Sequence, residues 1–292
     1  MPGKAKAAQE AKRVLQWDEK TATFRANIFD NGYHLLKLPL ELMSSTRSVT
    51  RLKTWLRDMH IASGEPGYEG PRCAAIFQGN PHPGLKTDGG DLLRLSAVTT
   101  PDYLILARDP ANVGSSYQRH LDRCKKWALE VAEYAYPGQL IHRETDDSLL
   151  YSLSGNTAQV LHCDNRPSSH ESLAHSENVS STTTQSLSAL IALEDGAHIW
   201  VVPSSQIEAR KMAADRNYFP PPMEAVRVDI PKDHVLFFCQ DLIHAGGAYL
   251  LYENVRFHMY IDHINDVRES DTTGYLNIEF GIARAKLFTL PK

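Results

Sequence analysis

From residue 139 onward the chain is a succession of short apolar runs. They are Leu149–Leu153, Ala158–Leu161, Leu187–Leu193, Ile199–Val202, Val226–Ile230, Val235–Phe238 and Val255–Ile261. Gly, Pro, Ser and Asn turns separate them. Runs of this length and punctuation are the signature of an antiparallel β-sandwich or barrel. No internal repeat is present. The stretch Ser168–Ser186 is rich in Ser and Thr and poor in apolar residues, and reads equally as a linker or as a loop over a site.

The first half has a different character. Residues 3–17 are rich in Ala, Lys, Gln and Glu, strong helix formers that read as a solvated arm or first helix. Residues 44–61 open on Ser/Thr cap candidates and then space Val49, Leu52, Leu56 and Met59 for a helix. Residues 63–91 hold seven glycines and four prolines, a composition that predicts loop. Tyr103 to Ala107 reads as a strand, and Ser115–Tyr136 as the best helix in the chain, closed by Pro137-Gly138. At 292 residues the chain is long enough for two domains, but large β enzymes reach this length as one. The expectation is one α+β domain, mainly β, with residues 1–138 as helical support carrying early strands and 139–292 as the β core.

Charge narrows the function classes. Thirty-one Lys and Arg against 35 Asp and Glu leave a net −4, with no general pull toward nucleic acid or anionic membrane. Arg47, Arg51, Lys53, Arg57 and the Arg119–Lys126 cluster read as two solvated helix faces. No apolar run reaches the ~20 residues of a membrane span, and the N-terminus lacks the apolar segment of a secretory signal. Cys73, Cys124, Cys163 and Cys239 form no C-x-x-C pair and read as buried or idle thiols. A cytoplasmic protein with a small-molecule substrate is expected.

One strand alternates informatively. In Val255–Asp262, Val255, Phe257, Met259 and Ile261 share one face, while Arg256, His258, Tyr260 and Asp262 share the other. The polar face suits solvent, and it also suits an interior holding a polar ligand. Alternation alone does not choose between them.

The local sequence richest in chemistry is Gln159-Val-Leu-His-Cys-Asp164. On a strand, His162 and Asp164 project together while Cys163 faces away. An imidazole and a carboxylate on one face supply two of the three ligands of a 2-His-1-carboxylate site. Composition alone gives about 1.6 H-x-[DE] triplets, and the sequence has four, so the triplet by itself decides nothing. His120-Leu-Asp122 sits in the strong helix, where residues two apart diverge by ~200°. His175-Ser-Glu177 lies in the Ser/Thr-rich stretch, and His142-Arg-Glu144 runs into a charged turn. Only His162-Cys-Asp164 ends an apolar, strand-like run. Further on, a buried-type strand, Val235-Leu-Phe-Phe-Cys, turns and delivers His244 before a glycine pair, and Arg256 follows on the next strand.

The ordered set of His162-x-Asp164, then His244, then Arg256 resembles the Fe(II)/2-oxoglutarate-dependent dioxygenases, especially their phytanoyl-CoA dioxygenase-like branch. Gly196-Ala-His-Ile-Trp-Val-Val-Pro-Ser-Ser205 is similar to that branch's G-x-L-x-x-P-G-S-H segment, and Asp233-His-Val-Leu-Phe-Phe to its G-D-x-x-x-F strand. The likeness covers about residues 145–263. The chain departs from the pattern where P-G-S-H reads Pro203-Ser-Ser-Gln206 and G-D reads Lys232-Asp233. The small hydroxyl residue often found two after the distal histidine is Gly246 here.

The resemblance implies a double-stranded β-helix (jelly-roll, cupin-like) core buttressed by the N-terminal helices. It implies Fe(II) held by His162, Asp164 and His244, with 2-oxoglutarate and O₂ as co-substrates. Arg256 would grip the distal carboxylate of 2-oxoglutarate through two parallel hydrogen bonds, so the polar face of Val255–Asp262 would point inward. Tyr151 and Ser188 are candidates to assist it in binding that co-substrate. With Asp164 in place, the resemblance implies hydroxylation, desaturation or ring closure of a small metabolite rather than halogenation. Loops at 63–91, 165–186 and 204–225 would shape the entrance, where Arg166, His170 and His175 are candidates to meet substrate. The alternatives are a cupin-like metal- or ligand-binding module without turnover, a zinc hydrolase or lyase on the same scaffold, and a nucleic-acid-modifying oxygenase of the same superfamily. Oligomeric state is not legible.

Overall fold

The computed structural model describes residues 19–43, 45–63, 73–76, 103–106, 115–142, 147–152, 154, 158–159, 161–164, 185–265, 274–275 and 281–291. The arm at 3–17, His175-Ser-Glu177, Arg166, His170 and the entrance loop at 165–184 lie outside them. In chain order the elements are α1 (19–31), β1 (Tyr33–Lys37), a 3-10 turn (Leu40–Leu42), α2 (Thr46–Ser63), β2 (Cys73–Ile76), β3 (Tyr103–Leu106) and α3 (Ser115–Ala135). Then come β4 (Leu140–His142), β5 (Ser148–Ser152), β6 (His162–Cys163), β7 (Leu187–Ala192), β8 (Ala197–Val201) and α4 (Ser205–Ala214). The chain closes with β9 (Met223–Glu224), β10 (Val226–Ile230), β11 (His234–Cys239), β12 (His244–Gly246), β13 (Asn254–His263), β14 (Gly274–Tyr275), α5 (Gly281–Ala285) and β15 (Phe288–Thr289).

Two antiparallel sheets carry the fold. The larger runs β1-β11-β7-β13-β5-β3-β2, with β4 also paired to β13, and the smaller runs β10-β8-β12-β6-β14. The short β15 and β9 form a separate parallel pair. The N-terminal region contributes directly to the large sheet: Leu35 opposes Leu236 across β1 and β11. Two expectations are corrected here. Within the glycine-rich stretch 63–91, Cys73–Ile76 is a strand paired to β3. Within 204–225, expected as loop, Ser205–Ala214 is a helix.

The outer face of the large sheet is covered by helices. On α3, Leu121, Cys124, Ala128, Val131 and Ala135 recur at three- and four-residue spacing and are buried with Phe257, Met259 and Ile261 of β13. Tyr136 caps that core and Gly138 stops the chain beyond it with φ 65°, a conformation glycine adopts without strain. On α2, Val49, Leu52 and Leu56 face the same core, and Ser45 caps the helix by accepting the Ser48 N–H at 3.2 Å. Phe24 of α1 meets Phe237 of β11 edge to face, centroids 5.2 Å apart. The inner face of the large sheet looks onto the small one.

The apolar face of Val255–Ile261 is therefore buried against helices, and its polar face is buried too: Arg256 is 1% exposed. The sheet is enclosed on both sides. Cys124, Cys163 and Cys239 are buried free thiols. Burial pushes Cys124 and Cys239 up to about 12, which keeps them protonated and inert. Among the described residues no helix is long and apolar enough to cross a membrane.

Phe237→Ala should cost about 3–5 kcal/mol in urea unfolding, since it empties the centre of this core. Arg57→Ala should cost under ~1 kcal/mol although it breaks the 2.6 Å pair with Glu253, because that arginine is half exposed.

Candidate metal centre

The site starts from a cross-strand pair. His162 of β6 lies directly opposite His244 of β12, and their rings sit 4.5 Å apart. Asp164 follows β6 by one residue, its N–H held by the Gln240 carbonyl at 2.9 Å. Asp164 Oδ1 lies 3.5 Å from His244 Nε2 and 3.9 Å from His162 Nε2. One donor atom from each of the three residues falls within 4.8 Å of the others, and all three are buried. Cys163 faces away, into the second apolar cluster with Leu161, Ala209 and Met212, as a two-residue period requires.

The His244 imidazole is aimed by its surroundings. The His244 Nδ1–H donates to the Leu242 carbonyl at 2.9 Å. A carbonyl can only accept, so Nδ1 carries a proton and Nε2 is the ring atom turned toward Asp164. The turn that delivers His244 is itself anchored by α4: Ser205 Oγ accepts the Ile243 N–H at 2.8 Å, and Arg210 Nε donates to Asp241 at 3.1 Å. Gln159 joins the two ligand strands, its N–H donating to the Gly246 carbonyl at 3.0 Å and its Oε1 accepting the Gly246 N–H at 2.7 Å. Gly247 is required by close approach, since a Cβ there would meet the His198 ring at 2.3 Å and the His198 carbonyl at 2.8 Å.

Burial by itself would raise the Asp164 carboxyl. The imidazoles of His244, His258 and His162, with the Ser188 hydroxyl, outweigh it and hold the group below the usual carboxylate range. Two imidazoles and a carboxylate, all buried, form a donor set that fits a divalent transition metal.

Arg256 lies on β13, two residues from His258, so the two share the inner face one strand step of about 7 Å apart. Its Nη2 donates to Ser152 Oγ at 2.7 Å, its Nη1 donates to the Tyr249 hydroxyl, and its Cζ lies 4.7 Å over the Tyr249 ring. A guanidinium and two hydroxyls are a donor set suited to a carboxylate. The residues proposed from sequence to assist it are placed elsewhere. Tyr151 opposes Val255 across β5 and β13 and so shares the helix-side face, next to Glu253; burial first, then that carboxylate, raises its hydroxyl. Ser188 bonds the metal carboxylate instead, its Oγ donating to Asp164 Oδ2 at 2.8 Å. Ser152 and Tyr249 were missed. Choosing Ser152 over Tyr151 needs the register of β5 on β13, which sequence does not print, and Tyr249 stands outside any strand run. Alternation grouped His258 with Arg256 on one face, and the structure turns that face inward, with His258 Nε2 3.9 Å from Asp164 Oδ2.

The motif departures also find positions. The left-handed residue of the Pro203 segment is Ser204 (φ 65°), whose Oγ donates to the Asp30 carbonyl at 2.7 Å. Gln206 Nε2 donates to the Phe29 carbonyl at 2.8 Å. Before β11, the left-handed residue is Asp233 (φ 60°) rather than Lys232.

No protein-family model matches this chain, and no curated protein matches it. Among solved structures it superposes on the non-haem α-ketoglutarate-dependent epimerase SnoN from nogalamycin biosynthesis. The TM-score is 0.51 at 15% identity over 84% of each chain. Looser superpositions are found with the carbocyclase SnoK of the same biosynthesis (0.47, 13% identity, 82% of this chain and 83% of that one). Another is EctD from S. alaskensis with 2-oxoglutarate and 5-hydroxyectoine (0.46, 14%, 90% and 80%). The likeness to SnoN is one of fold.

His162→Ala, Asp164→Ala and His244→Ala should each weaken Mn(II) binding by more than about 100-fold, beyond the 10–100-fold typical of outer partners. Wild type at 100 Kd of metal should gain about 2.7 kcal/mol, a Tm rise of roughly 4–5 °C in a thermal melt. The three variants should show none.

Proposed function

We propose that this chain is an Fe(II)- and 2-oxoglutarate-dependent oxygenase of the double-stranded β-helix class, acting on a small organic metabolite. The observation that carries the reading is the shared inner face. A buried His162/Asp164/His244 donor set stands across from β13, which presents the buried guanidinium of Arg256 with two hydroxyl partners. A metal hydrolase needs the first half of that arrangement and has no use for the second. The SnoN-like fold is consistent with the assignment.

In this reading His162, Asp164 and His244 would hold Fe(II). Arg256, with Ser152 and Tyr249, holds the distal carboxylate of 2-oxoglutarate and so orients its keto-acid end toward the metal. Iron with O₂ supplies oxidative decarboxylation to succinate and CO₂, coupled to hydroxylation, desaturation or ring closure of the substrate. The protein contributes position and exclusion of water: Phe238 packs its ring 4.8 Å from His244, and the two sheets close over the carboxylate.

Purified protein with Fe(II), ascorbate and labelled 2-oxoglutarate should release succinate, slowly without a prime substrate. Arg256→Ala should raise the KM for 2-oxoglutarate by about 10- to 100-fold, the loss of one or two hydrogen bonds to a charged group, while leaving Mn(II) affinity near wild type. Metal binding without succinate formation across a substrate panel would favour a binding module, and turnover with Zn(II) in the absence of O₂ would favour a hydrolase.

A further inference from the structure

The two oxygens of Asp164 face different partners. Oδ1 faces the Nε2 atoms of His244 and His162 at 3.5 and 3.9 Å. Oδ2 accepts the Ser188 hydroxyl at 2.8 Å and faces His258 Nε2 at 3.9 Å. Ser188 sits mid-strand in β7, paired to Phe238 on one side and Tyr260 on the other, and is 0% exposed. A serine so enclosed has no water to satisfy it, and its hydroxyl goes to this carboxylate. His258 is wedged in turn, stacked 6.3 Å from Phe238 and edge-on to Tyr260 at 4.4 Å, so its ring is a wall on the far side of Oδ2.

Resting on the metal-centre reading above, we propose that Ser188 is a positioning residue that makes Asp164 a one-oxygen ligand: its hydroxyl holds Oδ2 off the metal, with His258 as the backstop. A carboxylate free to rotate can take two coordination positions through both oxygens. Held through Oδ2, it offers Oδ1 alone and leaves one more position for the co-substrate or O₂. The large sheet, which supplies none of the three ligands, thus sets how many positions the metal keeps open. An outer partner of this kind typically changes metal affinity by 10- to 100-fold.

The test is anaerobic Co(II) titration without 2-oxoglutarate, followed by calorimetry and by the ¹⁷O-water broadening of the Co(II) EPR spectrum, which reports the waters that remain on the bound ion. Ser188→Ala should bind Co(II) about 10- to 100-fold more weakly and with less ¹⁷O-water broadening, and Ser188→Thr, which keeps the hydroxyl, should restore both. Ser188→Cys, close in volume and lacking the strong donor, should behave as the alanine variant and replaces it if that variant does not fold. Wild-type affinity and spectrum in Ser188→Ala would overturn the assignment, as would equal impairment in the alanine and threonine variants, the mark of lost packing. Wild-type protein that fails to bind Co(II) at all would instead sink the metal centre itself, and this role with it.

Discussion

A carboxylate sealed between two sheets is the constraint around which this molecule is arranged. Asp164 is 6% exposed, and an ionised carboxylate at that depth costs several kcal/mol unless other groups answer its charge. The groups that answer it arrive from four strands of two sheets: His162 from β6, His244 from β12, Ser188 from β7 and His258 from β13. The two ligand histidines lie in the small sheet beside it, but Ser188 and His258 reach the carboxylate only when the large sheet faces the small one. The centre is therefore a product of the whole β core, and its geometry inherits the rigidity of the helices that back it. The anchoring of the 240–243 turn by α4 is part of the same economy, because a loose turn there would release His244.

Much of the β core was legible because its strands are buried on one or both faces. Val226–Ile230 and Val235–Phe238 announced β10 and β11 as apolar runs, and the alternation of Val255–Asp262 gave both faces of β13. Burial of the second face resolved what alternation could not: an arginine, a histidine and an aspartate along one strand line the interior. The ligand strand was less legible. The apolar run Ala158–Leu161 lies before β6 rather than in it, and β6 itself pairs over only two residues, held in place by the bonds of Gln159 to Gly246. Period-2 patterning has little to report in a strand so short.

What escaped the sequence depended on partners far along the chain. The α4 segment has a weak apolar periodicity: beside Ala209 and Met212 it buries Ser205, Gln206 and Arg210, polar residues spent on the 240–243 turn and on α1. A serine at the left-handed position 204 carries a strain glycine would not, of order 1–2 kcal/mol. Its hydroxyl, with Gln206, closes carbonyls left open at the end of α1. The departure from the expected glycine and histidine thus ties the first helix to the end of β8, a compensation visible only once Asp30 is adjacent. The split roles of Tyr151 and Ser152 are of the same kind, since neighbouring residues of one strand serve opposite faces and only register says which is which.

The helical half has a part in the site beyond covering the sheet. Glu194, at the end of β7, accepts the Val255 N–H at 2.9 Å and pairs with Lys53 of α2 at 3.1 Å. Lys53 also donates to the Glu253 carbonyl at 3.0 Å, and Asn254 donates to the Asp195 carbonyl at 3.3 Å. These bonds converge on residues 253–255, immediately before Arg256. A guanidinium held by a hydroxyl at each of its two Nη atoms tolerates little displacement, since charge-assisted bonds are directional. A strand that merely passed through the sheet would be fixed by its ladder. This one is clamped at its entry from α2 and from the β7–β8 turn, which places the demand for precision at Arg256, at one end of the inner face that β13 carries past the metal centre.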